Sequence, residues 1–441
     1  MDLFGNFYDT RTTLDLAKVL RTLRRREARQ RSGSELTYRE LAAKTGWSYT
    51  VIGKYFTGGA LPPTDRFDEL VRILGASPTE QGVLATERDR VEENRRWTAA
   101  NITWLPRQLP ADLPDFVGRT TELAELNRML TTGPPHGPSR IVAMSGLAGV
   151  GKTALTVHWA HRVAEDFRDG QLYVDLRGFA PGDAPARPGE VVRGFLNALG
   201  VQPDRIPLEP AAQTGLYRSL LADKRVLIVL DNARDADQVR PLLPGSLGCL
   251  VVVTSRDRLY GLTAIEGARP LTLDLPTAAE ARDLLVSRLG TGSALAEPGA
   301  LRDILERCAS LPLALSIVAS RAASHPGFTL TALAAELTEA CDGLDAFAGL
   351  DGACDLRAAL SWSYRTLTAE AARLFRLLGR SFESFVTPKD TAGLAFVPLR
   401  TARSLLAELT RVNLLIERVP GRYTFHDLHR AYARELARGA E

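Results

Sequence analysis

Hydrophobic and polar positions divide the chain into segments with helical spacing and segments with short, wholly apolar runs. In the first 75 residues only the helical spacing occurs, with predicted helices at Leu14–Arg29, Ser48–Phe56 and Asp65–Leu74. Between the first two of these, the residues from Thr37 on predict one more helix, which Gly46 ends. This part of the chain is therefore expected to be all helical.

From Phe116 the pattern changes to short apolar runs separated by segments of helical length. The predicted strands are Ile141–Met144, Leu172–Leu176, Val226–Leu230 and Leu250–Thr254. Strands that alternate with helices in this way form mostly parallel sheets covered by helices. Residues 77–114, between the two patterns, are polar and end in a proline-rich stretch, which predicts an extended connector.

The last third of the chain returns to helical spacing. Ala278–Ala340 predicts a helical bundle, and Leu356–Ala437 predicts several further helices. Near the end, Leu414–Val419 and Tyr423–Phe425 predict two strands joined by a turn-forming Pro-Gly pair. Helices followed by such a hairpin predict a winged-helix domain.

Composition and length change this picture little. The 441 residues are 45% hydrophobic and 24% charged, which is ordinary for a globular protein of several domains. The apolar runs are too short to cross a bilayer, the N-terminus lacks the apolar segment of a signal peptide, and the four cysteines form no CxxC pair. We therefore expect a cytoplasmic protein with no membrane partner.

The net charge becomes informative once it is divided along the chain. Residues 1–75 contain 13 Lys and Arg against 9 Asp and Glu, a net charge of +4, whereas the remainder contains 42 against 43, a net charge of −1. The basic excess therefore lies in the small N-terminal segment, as expected if that segment alone contacts a polyanion.

The sequence GLAGVGKT, Gly146–Thr153, fits the phosphate-binding pattern GxxxxGK[ST] at every required position. It follows a predicted strand and opens a predicted helix, which distinguishes it from the alternative, a glycine-rich turn with a coincidental lysine. In such a loop the backbone N–H groups surround phosphate oxygens, Lys152 reaches the β- and γ-phosphates, and the Thr153 hydroxyl joins the Mg²⁺ shell. The nucleotide-binding residues predicted here are Gly146, Ala148, Gly149, Val150, Gly151, Lys152, Thr153 and Ala154.

A second part of the site is predicted by RVLIVLDNARD, residues 225–235. Its apolar run ends in Asp231, which places a carboxylate at the carboxyl edge of the sheet, where it holds Mg²⁺; the alternative is an Asp that caps a turn. The next residue is Asn232, whose amide is able to orient water but has no basic lone pair to take a proton. We therefore expect slow hydrolysis and tight retention of ADP.

The third component is an arginine at the end of another predicted strand. In TSRDR, Arg256 is expected to emerge at the same sheet edge and to sense the γ-phosphate as a fixed cation; the alternative is a solvated arginine in a basic loop. Lys152, Asp231 and Arg256 are thus the predicted catalytic residues, and Thr153 and Asp231 the predicted metal ligands.

In this order, the motifs resemble the NB-ARC family of STAND P-loop NTPases, in particular the actinobacterial regulators with an N-terminal helix-turn-helix. The resemblance implies that FVGRTTEL wraps adenine and ribose through Val117, Gly118 and Arg119. It implies that Pro312, in SLPLAL, packs on the adenine. It also implies that His426, in FHD, reaches the β-phosphate of ADP and holds a closed form.

The segment from Thr37 to Gly75 resembles the lambda-repressor-like helix-turn-helix, with Leu41, Val51 and Phe56 as core and Ser48–Phe56 as recognition helix. Within this resemblance, base edges are expected to be contacted by Ser48, Tyr49 and Thr50, and phosphates by Arg39 and Lys54. The alternative is a small helical bundle that contacts protein.

The expected fold is a multidomain one, with an α/β P-loop NTPase core, an all-α N-terminal helix-turn-helix, a helical bundle and a C-terminal winged-helix domain. The expected boundaries are 1–76 for the helix-turn-helix, 77–114 for a linker, 115–272 for the nucleotide-binding domain, 273–345 for the helical domain and 346–441 for the winged helix.

The expected function is a transcription regulator controlled by ATP or ADP with Mg²⁺. It is closed with ADP, and with ATP it self-associates and binds double-stranded DNA in response to an unidentified signal. Such a switch is at most a slow Mg²⁺-dependent ATPase. Two alternatives remain: a switch whose N-terminal domain recruits a protein or autoinhibits, and a P-loop enzyme that transfers phosphate to a substrate.

Overall fold

The computed structural model describes residues 12–100, 105–131, 140–179, 184–290, 296–325, 327–339, 344–347, 355–381 and 385–439. The chain divides into two compact units, residues 1–103 and residues 104–441.

The first unit is helical. Its helices are α1 (Thr13–Gln30), α2 (Tyr38–Thr45), α3 (Tyr49–Thr57), α4 (Thr64–Ile73) and α5 (Pro78–Ala100). A reciprocal capping box between Thr37 and Glu40 starts α2, and Gly46 ends it with φ 73°. Ser48 then caps α3 by accepting a hydrogen bond from the N–H of Thr50, so the tight turn predicted between these helices is present.

The core of the first unit contains two of its three predicted members. Leu41 and Phe56 are fully buried, whereas Val51 is only partly buried and the adjacent Ile52 is the fully buried residue. Ile52 lies four residues before Phe56 and thus on the same face of the helix, whereas Val51 is rotated from Ile52 by about 100°.

Helix α5 corrects the expectation of an extended connector over residues 77–114. Residues 78–100 are helical, and Leu84 and Val91 on this helix are buried. These two apolar side chains are seven residues apart, which places them on the same face of the helix. Residues 105–113 are non-helical, and among them Arg107 forms an isolated parallel β-bridge with Gln171.

The second unit contains a five-stranded sheet in the order β2-β3-β4-β1-β5, and all of its strand pairs are parallel. Its strands are β1 (Arg140–Gly146), β2 (Gln171–Asp175), β3 (Leu227–Ala233), β4 (Leu250–Ser255) and β5 (Arg269–Leu273). Separate apolar clusters pack on the two faces of the sheet, as in an α/β core. The expected fold class is confirmed, although β5 was not among the predicted strands.

Helices cover this sheet and continue beyond it as a helical region. They are α6 (Thr120–Thr131), α7 (Lys152–Arg162), α8 (Pro188–Ala198), α9 (Pro210–Leu221), α10 (Ala236–Val239), α11 (Tyr260–Ile265), α12 (Ala278–Leu289), α13 (Pro298–Arg307), α14 (Pro312–Ser324) and α15 (Leu330–Glu339). Among the described helices, none combines the length and the apolar character that crossing a membrane requires.

The C-terminal region has the helices and the hairpin of a winged helix. Its elements are α16 (Leu356–Arg365), α17 (Ala369–Gly379), α18 (Pro388–Ala395), α19 (Leu399–Arg411), β6 (Ile416–Val419), β7 (Arg422–Thr424) and α20 (Asp427–Arg438). Strands β6 and β7 are antiparallel, as the Pro-Gly turn predicted. One apolar cluster runs from α12 to α20, so the helical and winged-helix regions share a core.

Candidate nucleotide-binding site

The phosphate-binding loop connects β1 to α7, as its motif predicted. Gly146, Gly149 and Gly151 have φ values of 157°, 77° and 98°, which an L side chain rarely adopts. These glycines let the backbone turn sharply between a buried strand and the first turn of α7. Glycines in these conformations are what the phosphate-binding motif needs for its sharp turn.

A cavity of about 420 Å³ lies over this loop. Eleven of the predicted site residues line it, namely Val117, Arg119, Gly149, Val150, Gly151, Lys152, Thr153, Ala154, Asp231, Arg256 and Pro312. The structure thus brings together residues that lie almost 200 positions apart in the sequence.

Four predicted site residues do not line the cavity. Gly146 packs against the backbone of Leu273, Ala148 belongs to the buried core, and Gly118 lies beside Glu280. His426 is buried, and its Nε2 lies 3.1 Å from the backbone oxygen of Ala309. The nucleotide contacts expected of these residues remain predictions.

Lys152 is directed into its own loop. Its Nζ donates hydrogen bonds of 2.9 Å to the backbone oxygens of Gly146 and Leu147. Burial, and to a lesser extent the positive charge of Arg256, lowers the pKa of Lys152 to about 7, although the carboxylate of Asp231 opposes the shift. An anionic ligand in the cavity would favour the charged form of this amine.

Asp231 is buried at the carboxyl end of β3 and accepts hydrogen bonds from three hydroxyl groups. The Thr153 hydroxyl lies 2.8 and 3.0 Å from its two carboxylate oxygens, the Tyr173 hydroxyl lies 3.3 Å away, and the Thr254 hydroxyl also donates to it. Burial raises the pKa of Asp231, and these hydrogen bonds counteract the rise. A carboxylate beside the Thr153 hydroxyl is the pair of hard oxygen ligands that fits Mg²⁺.

Asn232 follows at an irregularity of the sheet. The β3–β4 register shifts between Leu230 and Ala233, and Asn232 has φ 55°. Its backbone N–H donates to the Thr254 hydroxyl at 2.9 Å. Asn232 lines the cavity together with Asp231.

Two segments distant in sequence hold the phosphate-binding loop in place. The Arg119 guanidinium donates to the backbone oxygens of Val150, at 3.1 Å, and Asp274, at 2.7 Å. Pro312 begins α14, where the N–H of Leu313 donates to the backbone oxygen of Gly149 at 3.1 Å. Both predicted motifs therefore contact the phosphate-binding loop directly.

Arg256 links the cavity to the winged-helix region. Its guanidinium lies over the ring of Phe179 and donates to the backbone oxygen of Ala359 on α16. Burial lowers its pKa to about 10, a value at which the side chain stays charged at neutral pH. We call residues 256–258 the sensor loop.

Three further contacts join the sensor loop to the end of α19. Asn413 donates from Nδ2 to the backbone oxygen of Arg256 at 2.7 Å, and the N–H of Arg258 donates to the backbone oxygen of Arg411 at 3.1 Å. The Arg411 guanidinium also pairs with the buried carboxylate of Asp257. No sequence motif indicated Arg411 or Asn413, because their role depends on the residues of the sensor loop that they contact in the folded chain.

The five residues predicted to contact DNA lie on the first unit. Arg39, Ser48, Tyr49, Thr50 and Lys54 are all exposed. The side chains on the opposite face of α3, such as Ile52 and Phe56, form the core. The exposed face of α3 therefore combines hydroxyl groups, an aromatic ring and a cation, which suits contacts to bases and phosphates.

Comparisons with known proteins agree with these observations. A family model described as a helix-turn-helix domain matches residues 15–84. Over 374 residues the chain is 42% identical to the regulatory protein AfsR of Streptomyces coelicolor, a match that covers 84% of this chain and 36% of that protein. AfsR of Streptomyces griseus is 40% identical over 332 residues, covering 75% of this chain and 33% of that protein. The chain thus spans about a third of the length of these relatives.

Among solved structures, a Walker-type ATPase of Pyrococcus abyssi is similar with a TM-score of 0.47 and 14% identity, over 74% of this chain and 97% of that chain. The identity to the two AfsR proteins and the helix-turn-helix match confirm the resemblance to helix-turn-helix regulators that the motifs predicted.

Proposed function

We propose that this AfsR-like chain, which joins a helix-turn-helix domain to a P-loop core, is a nucleotide-controlled regulator of transcription. The core binds ATP or ADP, and the helix-turn-helix domain binds double-stranded DNA. With ADP the winged-helix region is closed onto the core. With ATP it is released, and the chain self-associates.

Nucleotide binding is supported by the residues that converge on the cavity. Lys152 and the N-terminus of α7 supply positive charge for the β- and γ-phosphates. Thr153 and Asp231 would hold Mg²⁺, which supplies charge neutralisation to the phosphates. Val117 and Pro312, which line the same cavity, offer apolar surface for the adenine.

The single observation that carries the switch is the position of the sensor loop. Arg256 lines the cavity with Lys152 and Asp231, and its guanidinium donates to the backbone oxygen of Ala359 on α16. Its backbone oxygen accepts from Asn413, just after α19. A phosphate that attracts the Arg256 guanidinium would draw it away from Ala359 and weaken that contact. Nucleotide state and winged-helix position are in this way coupled through one side chain.

DNA binding is supported by the exposed face of α3 and by the basic excess of the first 75 residues. A single helix-turn-helix makes few base contacts. Self-association would place several such domains on adjacent sites and raise the effective affinity.

Hydrolysis is proposed to be slow and to act as a timer. Asp231 would hold the metal, and Asn232, next to it, is unable to take a proton from water. The ATP form therefore persists until its slow hydrolysis returns the chain to the ADP form.

The first test is to denature the purified chain and to identify any nucleotide that is released. Lys152→Ala should lose nucleotide affinity by about 10- to 100-fold, because a charged hydrogen bond contributes about 1.5–3 kcal/mol. The exposed Lys389→Ala on α18 is the matched control. If Lys152→Ala binds ADP and ATP as tightly as wild type does, the proposed site is refuted.

The second test measures binding to promoter fragments with ATP and with ADP over a range of salt concentrations. We expect sequence-specific, salt-dependent binding that is stronger with ATP. Absence of specific binding with either nucleotide would instead favour an N-terminal domain that recruits a protein partner.

A further inference from the structure

Residues 105–116, which we call the strap, are non-helical, and their first part pairs with the edge of the sheet. The N–H of Gln171, at the start of β2, donates to the backbone oxygen of Pro106 at 2.7 Å. The N–H of Gln108 donates to the backbone oxygen of Gln171 at 3.1 Å. A Cβ atom on Gly170 would lie 2.5 Å from the backbone oxygen of Pro106, so the two segments are in close backbone contact.

Two histidines of α7 hold the middle of the strap. His161 Nε2 lies 2.7 Å from the backbone oxygen of Pro110, and His158 Nδ1 lies 3.1 and 3.2 Å from the two carboxylate oxygens of Asp112. Carbonyl and ionised carboxylate oxygens only accept hydrogen bonds, so these ring nitrogens carry the hydrogens. The strap is thus attached to the helix whose first turn contains Lys152.

The ring of His158 also stacks on the ring of Phe116, at the end of the strap. The ring centroids are 4.2 Å apart and the planes are inclined by 11°. Phe116 packs in addition against the apolar cluster on this face of the sheet. Asp112, His158 and Phe116 therefore form a chain of contacts in which the first orients the second and the second supports the third.

The end of the strap lines the nucleotide cavity. Leu113, Asp115 and Phe116 are lining residues, and Val117 follows them. Leu113 and Phe116 are apolar, and the carboxylate of Asp115 would repel a phosphate. Lys152 and Arg256 offer positive charge to the phosphates in the same cavity. The wall formed by the strap therefore suits the base and the sugar of a nucleotide rather than its phosphates.

We propose that His158 is a positioning residue of the nucleotide site, which holds Phe116 and the end of the strap in place as the wall that contacts the nucleoside. His158 does not touch the nucleotide itself. It acts through the stack on Phe116, and its own ring is fixed by Asp112. This inference rests on the proposed nucleotide binding and deepens it.

The test compares a ligand that has a nucleoside with one that has phosphates alone. Calorimetric titration with ADP and with inorganic pyrophosphate, both with Mg²⁺, gives the two affinities for each variant. We expect His158→Ala to weaken ADP binding by about five- to tenfold, as for the loss of an aromatic pair. Its pyrophosphate affinity should stay within twofold of wild type, because the phosphate-binding residues are not changed.

His158→Phe keeps a ring to stack on Phe116 and should bind ADP more tightly than His158→Ala does. The exposed Arg162→Ala on the same helix is the matched control. An ADP affinity of His158→Ala within twofold of wild type overturns the inference. Equal weakening of ADP and pyrophosphate also overturns it, because His158 would then support α7 as a whole, and so does His158→Phe that is as weak as His158→Ala. Wild type that binds neither ligand refutes the proposed function itself.

Discussion

At the scale of single residues, Asn232 satisfies a conformational and a chemical requirement together. Its φ of 55° lies in the left-handed region, which Asn and Asp tolerate better than most other residues because their short side chains hydrogen-bond locally. The register of β3 against β4 shifts at this position. An Asp at this position would therefore fit the same backbone and add a base.

Asn232→Asp is expected to raise the single-turnover rate of ATP hydrolysis by at least about tenfold, because a general base contributes about 10²–10⁴-fold when well placed. The measurement is phosphate release from a preformed complex with ATP. Asn232→Gly, which tolerates the same φ and brings no base, is the control. Equal rates for Asn232→Asp and wild type would mean that the water is activated without help from position 232.

At the scale of elements, the phosphate-binding loop and α14 form one packed assembly. Gly149 has φ 77°, and a Cβ atom there would lie 2.7 Å from Cβ of Leu313. The hydrogen bond from the N–H of Leu313 to the backbone oxygen of Gly149 lies at the same contact. The Pro-containing motif therefore supports the loop as well as lining the cavity.

Gly149→Ala is expected to reduce the free energy of unfolding by about 1–3 kcal/mol and to weaken nucleotide binding, since it combines a strained φ with a steric conflict. Gly194→Ala in the middle of α8 is the control. A Cβ atom at Gly194 meets nothing within 4 Å, and alanine in a helix is expected to stabilise by about 0.5–1 kcal/mol. Calorimetry measures the stability of both variants. Equal stability of Gly149→Ala and wild type would contradict the close contact between Gly149 and Leu313.

In the first unit, an ion pair fastens α5 to α1. The Arg26 guanidinium donates two hydrogen bonds, of 2.5 and 2.9 Å, to the carboxylate of Glu80. The hydrogen bond from Arg26 lowers the pKa of Glu80 from its usual value of 4.5 to about 2. This pair, together with the buried Leu84 and Val91, attaches the polar segment that begins at Pro78 to the helical domain.

Glu80→Gln is expected to lower the stability of the first unit by about 1 kcal/mol at pH 7, a typical value for a well-formed ion pair near a surface. Because the folded-state pKa is depressed, this contribution is present above about pH 4.5 and is lost as the pH falls toward about 2. Calorimetry of both proteins between pH 7 and pH 3 should show the difference shrinking. A difference that is constant with pH, or equal to that of the exposed Glu93→Gln, would contradict this origin.

At the scale of the whole second unit, the sensor loop joins the nucleotide cavity to the winged-helix region. Arg411 and Asn413 reach it from the end of α19, more than 150 residues away in the sequence. His429, buried in the same region, is kept neutral because burial lowers its pKa well below the usual range, and His426 and Arg256 lower it further. Arg411 and Asn413 thus connect the sensor loop to the winged-helix region in addition to the residues that the motifs predicted.

Arg411→Ala is expected to accelerate the dissociation of ADP by about tenfold or more, since it removes a charged hydrogen bond that holds the sensor loop to α19. The dissociation rate of a fluorescent ADP measures this, and the exposed Arg400→Ala on the same helix is the control. Equal dissociation rates for the two variants would show that the Asp257 pair does not hold the closed form.

The sequence alone determined the elements whose signals are local. The phosphate-binding loop needs its glycines, Lys152 and Thr153 in a fixed spacing between a strand and a helix, and the structure has that arrangement. The apolar runs that end in Asp231 and Arg256 placed both residues at one edge of the sheet, where they line one cavity. Strand β5 escaped prediction because it is an edge strand with Pro270 and alternating exposure, which weakens the apolar signal.

Only the tertiary structure decided which distant side chains meet at these local elements. Asp175 became a partner of Asn232 through the parallel pairing of β2 with β3, and Arg411 became a partner of Asp257 through packing of α19 on the sensor loop. His426 lies beside Ala309 rather than in the cavity. Such contacts depend on how whole helices and strands pack. The sequence around a charged or polar residue is the same whether that residue contacts water or a side chain from a distant segment, so the sequence does not identify the partner.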